Sequence, residues 1–73
     1  MTTRFKHIHF VEVPGVPFSG KAIWECRNNK TDDPLAEMFW YIPWRKWTVR
    51  FNPSAVFDNG CLRDITAFLE SMP

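Results

Sequence analysis

Polar and apolar positions alternate with a period of two along much of the first fifty residues, then switch to a helical period near the C-terminus. In KAIWECR, residues 21–27, Ala22, Trp24 and Cys26 fall on one side and Ile23, Glu25 and Arg27 on the other, the mark of a half-buried strand. The polar run NNKTDDP ends it and reads as a hairpin loop, because Asn, Asp and Pro stabilise turns. Upstream, RFKHIHFVEV from Arg4 to Val13 is rich in strand formers, and Pro14, Gly15, Pro17 and Gly20 then enforce a loop. The inward face of this first strand is open: Ile8 and Phe10 point one way, and Phe5, His7, His9 and Val11 the other.

The third and fourth strands meet at Pro43. With a loop from Pro43 to Lys46 and proline at the second position of a type I turn, Ile42 faces Trp47, Trp40 faces Val49 and Met38 faces Phe51. Any even loop keeps Met38, Trp40, Ile42, Trp47, Val49 and Phe51 on one uniformly apolar face, whereas an odd loop flips one strand against the other. After Asn52 and Pro53 the period lengthens. Asp58 or Asn59 can cap a helix whose Leu62, Ile65, Phe68, Leu69 and Met72 recur on one stripe.

These elements predict an α+β fold in a single domain spanning 1–73: a small antiparallel β-meander of about four strands, with one C-terminal helix packed on one face. One helix covers one face. Trp40 and Trp47 are expected in the core, while the opposite face keeps Ile23, Glu25, Arg27, Phe39, Tyr41, Lys46, Thr48 and Arg50 for solvent or a partner.

Composition sharpens this picture. Aromatic residues make up 16% of a 73-residue chain, and five of them stand in MFWYIPWRKW, residues 38–47. A domain this small buries only about 60% of its unfolded surface, so Phe39, Tyr41 and Trp44 exceed what its core can use. Exposed rings beside arginine are favoured at the centres of protein interfaces. The candidate binding residues are therefore Phe39, Tyr41, Trp44, Arg45, Lys46 and Arg50.

Charge narrows the partner. The net charge of +1 is too small to argue for nucleic acid by itself, and bases cluster at residues 44–51, where three stand without an acid. A protein partner is expected, either another protein or complex or a second copy of this chain. The alternative is a single-stranded nucleic-acid module, in which Phe39, Tyr41 or Trp44 stacks on bases and Arg27, Lys46 and Arg50 contact phosphates.

Catalytic chemistry finds no support. No nucleophile elbow, phosphate-cradling glycine loop or His-carboxylate-nucleophile spacing occurs, and Asp32, Asp33 and Asp58 sit beside residues that make turns. His7 and His9 could present two imidazoles to one metal, but no further ligand stands at short spacing. The expectation is no enzyme, no metal and no cofactor. Cys26 and Cys61 read as two buried thiols rather than a disulfide. Residues 1–20 lack a continuous apolar segment, and no run is long enough to span a bilayer, so a cytoplasmic location without membrane contact is expected.

Trp24, Trp40-Tyr41, Trp44-Arg45, Phe51-x-Pro53 and Cys61-Leu62-x-Asp64-Ile65-x-x-Phe68-Leu69 together resemble a family of small, largely uncharacterised proteins encoded by tailed bacteriophages and prophages. The resemblance runs from about Trp24 to the C-terminus, on a WY-x-x-WR hairpin and a CL-x-DI-x-x-FL helix. It implies a strand-rich fold ending in a helix and a phage context. In that context, small proteins without catalytic residues often act by occupying a surface on a host machine or protein complex, among them inhibitors of CRISPR effectors and restriction systems.

Overall fold

The computed structural model describes residues 2–14 and 20–73; the loop read at Pro14–Gly20 thus falls, at positions 15–19, outside the described residues. Four strands, β1 (Ile8–Val13), β2 (Ile23–Asn28), β3 (Pro34–Tyr41) and β4 (Lys46–Phe51), form one antiparallel sheet in the order β1-β2-β3-β4. The helix α1 (Asn59–Ser71) follows. This is the α+β meander with a C-terminal helix that the periodicity predicts.

The first strand is shorter than the expected Arg4–Val13. Phe5 donates its backbone N–H to Ile8 at 2.8 Å, Phe10 donates to Thr3 at 2.7 Å, and Arg4 bridges His9. The chain therefore reverses at Lys6 and His7 and lies back along the outer edge of β1. The reversal brings Phe5 edge-on to Phe10, with ring centroids 5.8 Å apart, and this packing holds a turn that no Gly, Pro or Asn announces.

Burial resolves the open face of β1 in favour of Ile8 and Phe10. Together with Cys26, Ala36, Met38, Ile65 and Phe68 they form the fully buried core. Phe68 stacks on Phe10 at 4.0 Å and meets the Trp24 ring at 5.3 Å, so the helix lies over β1 and β2. The helical stripe runs through Cys61, Ile65, Phe68 and Met72. Leu62 stands about 100° round from Cys61 and is exposed, outside the stripe expected to bury it. Asp58 caps the helix by accepting from the Cys61 backbone N–H at 2.8 Å.

None of the fully buried side chains comes from β4, whose Val49 is only half-buried. Trp40 and Trp47, expected in the core, are half-buried too and pair edge to face at 5.9 Å. Indole is too large and too polar at its N–H to be sealed readily: Trp47 donates to the Pro73 carbonyl at 3.0 Å, and the Lys21 ammonium lies 4.7 Å from the Trp40 ring centre.

Candidate functional site

The β3–β4 hairpin sets the site. Trp40 pairs with Trp47, Tyr41 with Lys46 and Met38 with Val49, so the loop is Ile42–Arg45 and the pairing slides by two from the expected register. An even slide keeps every side chain on its predicted face, but it moves Ile42 from the sheet into the loop, where it is 58% exposed. Pro43 still holds the second position of a turn, the one closed by Arg45 N–H donating to Ile42 at 3.1 Å. The loop rejoins the strand through Arg45 at φ 52°, a left-handed conformation uncommon outside glycine.

Alternation about the buried Met38 sends Phe39 and Tyr41 to the side away from the helix. There they form a ridge: Phe39 meets Tyr41 edge to face at 6.3 Å, and Tyr41 meets Trp44 edge to face at 5.0 Å. The Arg50 guanidinium lies 4.9 Å from the Phe39 ring centre, a cation–π contact, and 4.0 Å from Glu37. Tyr41 is 37% and Trp44 66% exposed. A groove of about 450 Å³ runs on one flank, lined by Ile23, Glu37, Ile42 and Pro43 together with the ridge. A shallower groove of about 240 Å³ lies on the other, between the ridge and Trp44, Thr48 and Arg50.

Of the six predicted residues, Phe39, Tyr41, Trp44 and Arg50 thus share one surface. Arg45 and Lys46 flank it from the loop and the start of β4, and among the described residues neither makes an ion pair. The sequence placed Ile23 on this face and Pro43 in its loop, but expected Ile42 on the helix-facing side of the sheet and so missed it as a groove wall.

Arg27 belongs to a different cluster. It donates to Glu25 at 2.6 Å and to Asp32 at 3.1 Å, and hydrogen bonding to Glu25 further favours its charged form. Both ring nitrogens of His9 are engaged, Nδ1 with Asn29 at 2.7 Å and Nε2 with Asp32 at 3.1 Å. His7 sits in the turn before β1, exposed, so the two histidines do not share one strand face. Among the described residues no group of three His, Cys, Asp or Glu side chains converges as metal ligands would.

Both thiols are free. Burial, with the neighbouring Cys61 adding to it, pushes Cys26 up to about 12; burial likewise raises Cys61. Cys26 is sealed and its thiol poorly nucleophilic, whereas Cys61 is only half-buried, so the expected pair of buried thiols is met by Cys26 alone. No helix among the described residues is long and apolar enough to cross a membrane. The chain matches no family model, no curated protein and no solved structure.

Proposed function

We infer that this protein is a non-catalytic docking module that presents the outer face of its sheet and the Ile42–Arg45 loop to a protein partner. The reading rests on one observation: the Phe39–Tyr41–Trp44 ridge, with Arg50 against it, stands between two grooves on the face opposite the helix, uncovered by any of the described residues. Rigid rings and arginine desolvate at low entropic cost and anchor interfaces. The resemblance to small phage proteins directs the proposal to a host complex in the cytoplasm. The proposed role is inhibition of a defence system of the CRISPR-effector or restriction class by occupation of a surface.

Replacing Phe39, Tyr41, Trp44 and Arg45 together by alanine tests this. Capture of partners from a bacterial lysate, read by mass spectrometry, is expected to be lost while the circular dichroism spectrum is kept; retained capture refutes the assignment.

The exposure of Trp44 beside Arg45 and Lys46 favours a second reading, stacking on single-stranded nucleic acid. Against it, Arg27 is held by Glu25 and Asp32. Affinity for a fluorescent oligonucleotide that falls steeply with salt supports the second reading, and absence of binding at low salt eliminates it.

A further inference from the structure

The two edges of the sheet differ. The segment Thr3–Phe5 lies back on β1, hydrogen-bonded to Ile8 and Phe10. At β4, the Asn52 N–H donates to Leu35 at 3.0 Å, and the alternation of an antiparallel ladder then turns the backbone groups of Lys46, Thr48 and Arg50 toward β3. Those of Trp47, Val49 and Phe51 consequently point away from the sheet. Among the described residues no backbone hydrogen bond joins this row to another segment. An exposed row of this kind is a template for strand addition.

The edge also carries a chemical pattern. Its outer side shows Lys46, Thr48 and Arg50, next to Arg45. Its inner side shows Trp47, Val49 and Phe51, the last 42% exposed. A strand added here sets its own alternate side chains beside these two rows, one cationic and one apolar. Antiparallel pairing of β4 with itself about Thr48 sets Lys46 opposite Arg50 of the second copy, and pairing about Val49 leaves both cations without an opposite charge, whereas an acidic strand complements both.

We propose that the free edge of β4 binds an extended segment of the protein partner in which acidic and apolar residues alternate, added as a fifth strand. The acidic side chains lie beside Lys46 and Arg50 at the shallow groove next to Phe39, and the apolar ones lie over Val49 and Phe51. This rests on the docking reading and specifies its partner.

The probe is a fluorescein-labelled peptide of about eight residues in which aspartate and valine alternate, titrated against the intact protein by fluorescence anisotropy. Three comparisons carry the test: the same peptide with lysine for aspartate, one N-methylated at alternate backbone nitrogens, and the protein variant Val49→Pro. That substitution removes an outward N–H and no ladder bond, at an edge position where proline is tolerated. Binding of the acidic peptide is expected, with a loss of about tenfold or more in each comparison, since main-chain bonds supply much of the affinity in strand addition. If Val49→Pro does not fold, the N-methylated peptide decides alone.

No binding of the acidic peptide, equal binding of the lysine peptide, or indifference to N-methylation overturns the proposal. So does concentration-dependent dimerisation that Val49→Pro abolishes, or tight binding of an oligothymidylate in place of the peptide. The broader reading is separable from this one: if Val49→Pro still captures the lysate partner while the four-alanine variant does not, the docking face stands and strand addition falls.

Discussion

The two faces of the sheet are both rich in rings, and they use them differently. On the inner face Phe10 and Trp24 meet Phe68 of the helix, and the surrounding Ile8, Cys26, Ala36 and Met38 are sealed from water. On the outer face Phe39, Tyr41 and Trp44 meet one another and Arg50, and no element among the described residues covers them. Inner-face rings are held by long-range packing between a helix and strands distant in sequence. Outer-face rings are held by neighbours within one hairpin. The difference teaches that aromatic content alone does not report core size, and predicts that the outer rings can be removed without dismantling the fold.

That contrast can be broken most forcefully at Phe68. Phe68→Ala opens a cavity beneath the helix and is expected to cost about 3–5 kcal/mol, a large part of the about 5–15 kcal/mol that holds a domain together. Urea denaturation should show a largely unfolded variant or a midpoint shifted far down. A change under about 1 kcal/mol would mean that the inner face is not the core.

Cys26 sharpens the same point without mutation. Its thiol should react with a thiol reagent only as fast as the whole domain opens, and labelling much faster than global unfolding would contradict sealed packing. Its raised value has a sign for stability. The folded thiol stays neutral up to about 12, against an ordinary value of 9.0. The stabilisation is therefore complete below 9.0 and is lost as pH rises toward the folded value.

A smaller effect is expected at the helix cap. Asp58→Ala should lower the denaturation midpoint, by less than Phe68→Ala does. The hydrogen bond from the Cys61 backbone N–H lowers the Asp58 carboxyl below its ordinary 3.8. Its contribution is thus present above 3.8 and is lost as pH falls through the lower folded value. Subtracting the acid denaturation curve of Asp58→Asn from that of the parent should isolate this loss, and no difference between pH 2 and 5 would refute it.

The smallest change in stability belongs to the outer face. Phe39→Ala removes one cross-strand ring and a cation–π contact at the surface, about 1 kcal/mol or less. Thermal unfolding that moves as far as in Phe68→Ala would erase the distinction between the faces.

The fold was legible where period and side-chain size agreed. Alternation about Trp24, Cys26, Met38 and Val49 assigned faces correctly, and the Asp58 cap with Ile65, Phe68 and Met72 located the helix. Register was less legible. The signals that mark a left-handed loop residue are Gly and Asn, and Arg45 takes that conformation without either, so the Ile42–Arg45 loop and its two-residue slide left no trace in composition. The reversal at Lys6 and His7 was hidden because no Gly, Pro or Asn marks it and the residues around it fit a strand pattern. Trp40, Trp47 and Leu62 are apolar in any pattern, but only the reach and rotation of a 13-residue helix decide that they stay partly in water. The candidate site was readable as a surplus of rings. Its grooves were not, because Ile23, Ile42 and Pro43 come together only through the pairing of three strands.

The most direct measurement joins stability and capture in one protein. A variant with alanine at Phe39, Tyr41 and Trp44 would be unfolded in urea beside Phe68→Ala and then offered a host lysate. The account predicts a fold far closer to the parent than to Phe68→Ala, with partner capture gone. A variant destabilised as much as Phe68→Ala, or one that still captures its partner, would contradict it.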